Sequence, residues 1–325
     1  MSQAYTSRRA WLARCLPLLC SLGLKPAAAN SPPHKIIVGF PPGGGADQVV
    51  RLLSEPMRSR LGAPVIIDNR PGAGGVIAIR TMLQGPVDSR TLIVLSDHQL
   101  SVAPLTIEKP GYHPIRDFEP VATVALGELA LAVYPGLGVD GLPAFARWLA
   151  RNPARDVVGI PAPASPPEFL ADALARKMGI SWRTVPYRGG AAMIQDLMGG
   201  QIPAGIATVG EFLPFQQAGQ VRILAVSGAG RMKTLLPDTP TFGEIGIRGF
   251  DMGTFLGVFA RAGIAPAALE QFNRAIAHAM QTREVQEGLS SVGMVPHYEP
   301  PAGLAARRDR SIEMWGEMIR SAASK

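Results

Sequence analysis

Apolar positions along this chain cluster into two kinds of block. Short runs of aliphatic and β-branched residues recur at 36–38, 64–68, 91–95, 118–125, 129–133, 157–160, 185–187, 202–209, 221–226 and 255–259, and each predicts a buried strand. Between many of them, apolar residues spaced three and four apart predict helices over 47–61, 76–83, 142–149, 168–178, 191–198, 266–281 and 301–323. In the first helix Val49, Val50, Leu52, Leu53, Met57 and Leu61 form the apolar face, Asp47 stands at the N-cap position and Gly62 closes the end. In the last helix Met314 and Trp315 read as core or cover residues. Strands alternating with helices predict an α/β fold built on an open sheet. No internal repeat interrupts the pattern.

The first strand breaks off at Pro41-Pro42-Gly43-Gly44-Gly45-Ala46-Asp47. Strand, glycine loop and helix start together aim backbone N–H groups and a positive dipole end at one point, which attracts an anion. The loop is neither Walker A, having no Gly-Lys-Ser/Thr, nor the dinucleotide fingerprint, because Gln48 replaces its third glycine. Taken alone it reads equally as an ordinary tight turn. A second loop, Asn69-Arg70-Pro71-Gly72-Ala73-Gly74-Gly75, repeats the arrangement after the next strand, so a crevice is expected at the carboxyl edge of the sheet. Ser96 ends the third strand at that edge and is a contact candidate, since a hydroxyl both donates and accepts. His98 beside it reads as a solvated loop histidine.

With 325 residues the chain is long enough for two domains. Its net charge is +7, but Arg8, Arg9, Arg14 and Lys25 lie in the first 29 residues, where no acid occurs, so the remainder carries only +3. That excess is no footprint for nucleic acid. The same 29 residues have the parts of a secretory signal: a basic start, an apolar run over 15–24 and Ala27-Ala28-Ala29 as the cleavage site, which implies export to the periplasm. Ser7-Arg8-Arg9 permits a twin-arginine route as well as a general one. Both cysteines, Cys15 and Cys20, fall inside this leader, so the mature protein has no thiol chemistry. The five histidines have no metal-binding spacing, and no Gly-x-Ser-x-Gly or Ser-x-x-Lys motif occurs. These absences favour binding over turnover, with no cofactor and no metal.

A set of motifs also resembles one known family. Phe40-Pro41-Pro42-Gly43-Gly44-Gly45-x-Asp47 and Asn69-Arg70-Pro71-Gly72-Ala73-Gly74-Gly75 are followed by Tyr112-His113-Pro114, Val185-Pro186-Tyr187-Arg188-Gly189-Gly190, Gln195-Asp196-Leu197-x-Gly199-Gly200-Gln201 and Leu236-Pro237-Asp238-x-Pro240-Thr241. In this order they resemble the Bug family, the extracytoplasmic receptors of tripartite tricarboxylate transporters, over nearly all of the chain after residue 34. The resemblance implies a two-lobe periplasmic binding protein fold of type II, each lobe a mixed sheet flanked by helices, with the ligand cleft between them. A signal peptide at 1–29 would precede lobe 1 (30–129 and 250–325) and lobe 2 (130–249).

The resemblance also implies the site. Backbone N–H groups of Gly43, Gly44, Gly45, Ala46 and Asp47, with those of Ala73, Gly74 and Gly75, would hold a carboxylate from lobe 1, Pro42 would line the same loop beside the ligand, and Phe40 would form an apolar wall or a core residue. Lobe 2 of the family presents Gly-x-Gly-Ser/Thr. Here Ala162-Pro163-Ala164-Ser165 stands instead, leaving Ala164 and the Ser165 hydroxyl, although Ser165 reads equally as a helix N-cap. Tyr187 and Thr208 lie at further strand ends, and Asp196 falls on the solvent side of its helix. The implied ligand is a small di- or tricarboxylate, amino-dicarboxylate or aromatic acid, the implied partners are membrane permease subunits, and the receptor is expected as a monomer. A periplasmic sensory module and an enzyme acting on a carboxylate are the alternatives. The effector lobe of a DNA-binding regulator shares this fold but has no place for a leader.

Overall fold

Short aliphatic runs form the strands, and in the first sheet glycine-led segments form the helices that cross between them. In the computed structural model, which describes residues 32–323 apart from 234, 249, 251 and 252, β1 (His34–Val38) pairs in parallel with β2 (Val65–Asn69) and with β3 (Thr91–Ser96). The leader predicted at 1–29 lies outside the described residues. Helix α1 (Gly45–Leu61) connects β1 to β2, and α2 (Val76–Gln84) connects β2 to β3. Val49, Val50, Leu53 and Met57 of α1 are fully buried, and Gly62 ends it in the left-handed conformation at φ 66°.

A π-turn over His98–Val102 and the short α3 (Ala103–Thr106) follow β3. The first sheet is then completed by β4 (Phe118–Gly127) and by two strands from the far end of the chain, β10 (Thr254–Arg261) and β11 (Met294–Glu299). Its order is β11-β4-β10-β3-β1-β2, with β10 antiparallel to both neighbours. The second sheet takes β5 (Leu129–Val133), β6 (Val157–Ile160), β7 (Arg183–Pro186), β8 (Ala204–Thr208) and β9 (Arg222–Val226) in the order β7-β6-β8-β5-β9. There β6 is parallel to β7 and β8, while β5 is antiparallel to β8 and β9. The helices of this lobe are α4 (Leu142–Arg151), α5 (Pro166–Met178), α6 (Gly190–Met198) and α7 (Val209–Gln217). The chain closes with α8 (Pro266–Met280), α9 (Arg283–Ser291) and α10 (Pro301–Ala323).

Several elements depart from the sequence reading. The strand expected over 202–209 ends at Thr208, and α7 begins at the next residue despite Gly210 and Pro214. Neither α9 nor β11 was expected. Pro296 argues against a strand, but β11 is an edge strand, where one missing donor is tolerated. Helix α5 starts two residues early, at Pro166 and Pro167, since its first turn has no use for their missing N–H groups.

Helix α10 is anchored at two places. Arg307 meets the Glu299 carboxylate with both arms, at 2.6 and 2.8 Å, and Thr123 of β4 donates to the same carboxylate at 2.8 Å. Two turns further on, Trp315 is only 2% exposed and packs on Phe169 of α5 and on Phe250, with ring centroids 5.6 and 6.3 Å away. The C-terminal helix thus joins the first sheet to the aromatic core of the second lobe.

Trp315→Ala is expected to cost about 3–5 kcal/mol in urea unfolding, the range for emptying a large aromatic site. The hydrogen bonds from Arg307 hold Glu299 down at about 2, against the opposing pull of burial. A carboxyl depressed on folding stabilises above its ordinary pKa and loses that contribution as pH falls through its folded value. Glu299→Gln is therefore expected to lower neutral-pH stability by about 1–3 kcal/mol, and the gap to wild type should close towards pH 2.

Candidate ligand-binding site

The registers place two loop-bearing edges against each other. Parallel β1, β2 and β3 end on the side where β4 finishes at Gly127, which pairs with Thr254. Two residues later, at Leu129, β5 begins opposite Thr208, the carboxyl end of β8. The carboxyl ends of β6 and β7 share that edge. Loops 39–45, 70–75 and 96–99 therefore stand on one side of the crossing, and loops 161–165, 187–190 and 208–210 on the other.

On the first edge the N-cap of α1 is Gly44, which corrects the sequence reading of Asp47. Asp47 is the third helical residue and fully buried. Its carboxylate accepts from the Gly43 N–H at 2.8 Å, from Arg51 at 2.7 Å and from Asn69 Nδ2 at 2.9 Å. Burial alone would raise this carboxyl, but Arg51, Gly43 and Asn69 outweigh it and hold it below the usual range. Asp47 thus shapes the loop from beneath. The first N–H groups of α1, at Gly45 and Ala46, have no acceptor within the helix. Pro42 and Gly43 are exposed, and Gly43 needs its φ of +81°. Phe40 is half-buried against the first-lobe core, and its carbonyl accepts from Asn69 at 3.1 Å.

The second loop winds through positive φ at Ala73, Gly74 and Gly75 before α2. Beneath it lies Gln99, a residue the sequence reading missed. Gln99 is fully buried, and its Oε1 accepts from the Ser96 N–H at 2.8 Å and the Ser96 hydroxyl at 3.1 Å. Those bonds fix the amide so that Nε2 faces Gly39 and Gly75, and Nε2 has no partner. A Cβ on Gly75 would stand 1.9 Å from it, so only glycine leaves room. His98 is not the solvated histidine expected. Its Nδ1 is buried without a partner, its Nε2 faces Gly74, and burial pulls it down to about 4, leaving it neutral at pH 7. Asp97, buried and raised by that burial to about 7, accepts from the His98 N–H.

On the second edge the candidate side chains are engaged within their own lobe. Ser165 is buried at the N-cap of α5, but its hydroxyl donates to the Ala162 carbonyl at 2.6 Å instead of capping the helix. The Ala164 N–H donates to Glu168 at 2.6 Å, and Ala164 holds a φ of +48°. Tyr187 donates to Asp196 at 2.7 Å, so Asp196 is half-buried and not a solvent-side residue. Burial, with Asp196 adding to it, pushes Tyr187 up to about 12. Thr208 and Glu211 form a reciprocal capping box at the start of α7.

Between the edges sits Glu128, the single residue joining β4 to β5. The Ser227 hydroxyl donates to its carboxylate while accepting from the Leu129 N–H at 2.7 Å, which ties the outgoing crossing to the returning one. Gly228 and Gly253 press against that carboxyl, and its burial raises it to about 7. The lobes also touch where Gly210 meets Val292 and Gly293, so closely that a Cβ on either glycine would overlap backbone.

Residues 49–323 match the family described as the tripartite tricarboxylate transporter family receptor. The chain belongs to this family. It is 29% identical over 294 residues to protein BugT of Bordetella pertussis, covering 90% of each chain. Among solved structures, MatC from Rhodopseudomonas palustris with bound malate is similar at a TM-score of 0.79 and 26% identity, covering 88% of this chain and 98% of that one. R. palustris Rpa4515 with adipate reaches 0.82 at 26% identity, covering 90% and 97%. This receptor family is one of solute-binding proteins, not of enzymes, and its two-lobe α/β fold is the one found here.

Removing the Asp47 charge tests the loop's support. Asp47→Asn leaves buried donors short of a charged acceptor and is expected to cost about 1–3 kcal/mol at pH 7. Because this carboxyl is depressed on folding, the difference should shrink as pH drops below the ordinary carboxylate range.

Proposed function

We propose that this receptor captures a small carboxylate between its lobes and presents the closed form to membrane permease subunits. The leader directs export to the periplasm and is cleaved near Ala29, and residues 30–129 with 250–325 move against 130–249. The observation that carries the reading is the unpartnered Gln99 Nε2 beneath two glycine loops, whose helix starts supply further N–H donors. A carboxylate on that edge would satisfy a buried donor and sit at a positive dipole end. MatC with malate and Rpa4515 with adipate, two structural neighbours, support a carboxylate as the ligand class. Closing about Glu128 and the returning segment would bury the ligand and create the shape a permease reads.

A thermal-shift panel of mono-, di- and tricarboxylates on the mature protein tests this, since a ligand of the folded state raises its melting temperature. At least one class should produce a concentration-dependent rise. Gly44→Val should abolish that rise and leave the unliganded protein intact, because Gly44 has φ −72° and ψ 163° and a Cβ there meets only the Pro41 carbonyl, at 3.3 Å. A lower unliganded melting temperature in this variant would assign the loop a structural role instead.

A further inference from the structure

Ser165, Tyr187 and Thr208 each carry one hydroxyl proton, and each points it into its own lobe. The acceptors are the Ala162 carbonyl at 2.6 Å, the Asp196 carboxylate at 2.7 Å and the Glu211 carboxylate at 3.1 Å. Carbonyl and carboxylate oxygens accept, so the hydroxyls must be the donors, and each has only lone pairs left for anything else.

The backbone of this edge is equally short of donors. Pro161, Pro163, Pro166 and Pro167 have no N–H at all. The Ala164 N–H is held by Glu168 and the Glu168 N–H by the Ser165 carbonyl at 2.9 Å. Of residues 161–168 only Ala162 and Ser165 retain an amide not accounted for in this way. Helix α5 opens on two prolines, which bring no N–H to its first turn. Glu211 caps α7, and its carboxyl also lies against Gly190 at the start of α6. The start of α5 is thus poor in donors, and a carboxylate of the chain's own stands at the starts of α6 and α7. The opposite edge is the reverse, with the Gln99 amide nitrogen and the first turn of α1 as donors.

We infer that the ligand is not a symmetric dicarboxylate but a carboxylate whose far end, facing β6–β8, carries a hydrogen-bond donor such as a hydroxyl or an amine. This rests on the proposed capture of a carboxylate by the first lobe. A second carboxylate would set lone pairs against lone pairs, beside the Glu168 charge, and be desolvated without compensation. A hydroxyl or ammonium would meet acceptors already held in place.

The test uses straight-chain acids of four to six carbons in four forms: unsubstituted, ω-hydroxy, ω-amino and dicarboxylic. The protein is unfolded and refolded first to remove any retained ligand, and affinities are read by calorimetry. The ω-hydroxy or ω-amino acid of the best length is expected to bind about tenfold or more tightly than the dicarboxylate of that length, as for one lost charge-assisted bond. Glu168→Gln keeps a capping oxygen and removes the charge, so it should narrow that gap several-fold, whereas a purely structural role would weaken all forms alike. A dicarboxylate that binds as well as the donor-bearing acid overturns the inference and leaves the receptor reading standing; exposed Arg188, next to Tyr187, would then be its anchor. Equal binding of the unsubstituted acid overturns the donor requirement. Binding of no acid overturns the carboxylate reading and this inference with it.

Discussion

Everything in this architecture follows from the chain crossing between its sheets in a single residue. Glu128 leaves β4 and β5 no slack, so the edge where one sheet ends is the edge where the other begins. Loops that follow parallel strands in the first sheet are thereby turned towards loops that follow parallel strands in the second. The return path is pinned to the same spot through Ser227 and through the Thr254 hydroxyl on the Gly127 carbonyl at 3.0 Å. Any motion of one sheet relative to the other must act through these few bonds, the contact of Gly210 with Gly293, and α10, whose Trp315 lies in the aromatic core of the second lobe.

The two edges are built from opposite backbone chemistry. Glycines on the first allow positive φ and leave amide groups near the surface, while a buried carboxylate, Asp47, steadies the loop without facing outward. Prolines on the second delete amides, and the Glu168 side chain takes up that of Ala164. Both are strand-to-helix turns of similar length. What differs is whether hydrogen-bond donors or acceptors are left over, and under the proposed function that difference would set the direction along which a ligand aligns.

Much of the fold could be read in advance because its signals are local. Runs such as Ile36–Val38 bury on both faces of a parallel strand, and the glycine that ends α1 needs no tertiary context. Elements with mixed local signals were missed: α7 contains Pro214 and β11 contains Pro296. The Thr208-x-x-Glu211 spacing of a capping box was present and would have marked the start of α7. Side-chain direction is another matter. Ser165, Tyr187 and Thr208 were readable as hydroxyls, but which way each proton points depends on Ala162, Asp196 and Glu211 in folded positions. Gln99 was invisible for a similar reason, since the hollow it fills is made by Gly39 and Gly75, which lie far from it in the chain and meet it only in the fold.

The place of β10 has a consequence for how such a chain comes into being. This strand lies between β3 and β4 in the first sheet, yet it is made more than a hundred residues after either. During synthesis β1 to β4 emerge as two fragments with no common neighbour, and the glycine loops have no finished sheet to stand on. The second sheet lies wholly within 129–226 and has all its strands first. Contacts so distant in sequence are slow to form, because the loop must close before any pairing rewards it. The sheet that carries the glycine loops is therefore completed after the other, from a chain that stays open until residue 261 arrives to fill its centre.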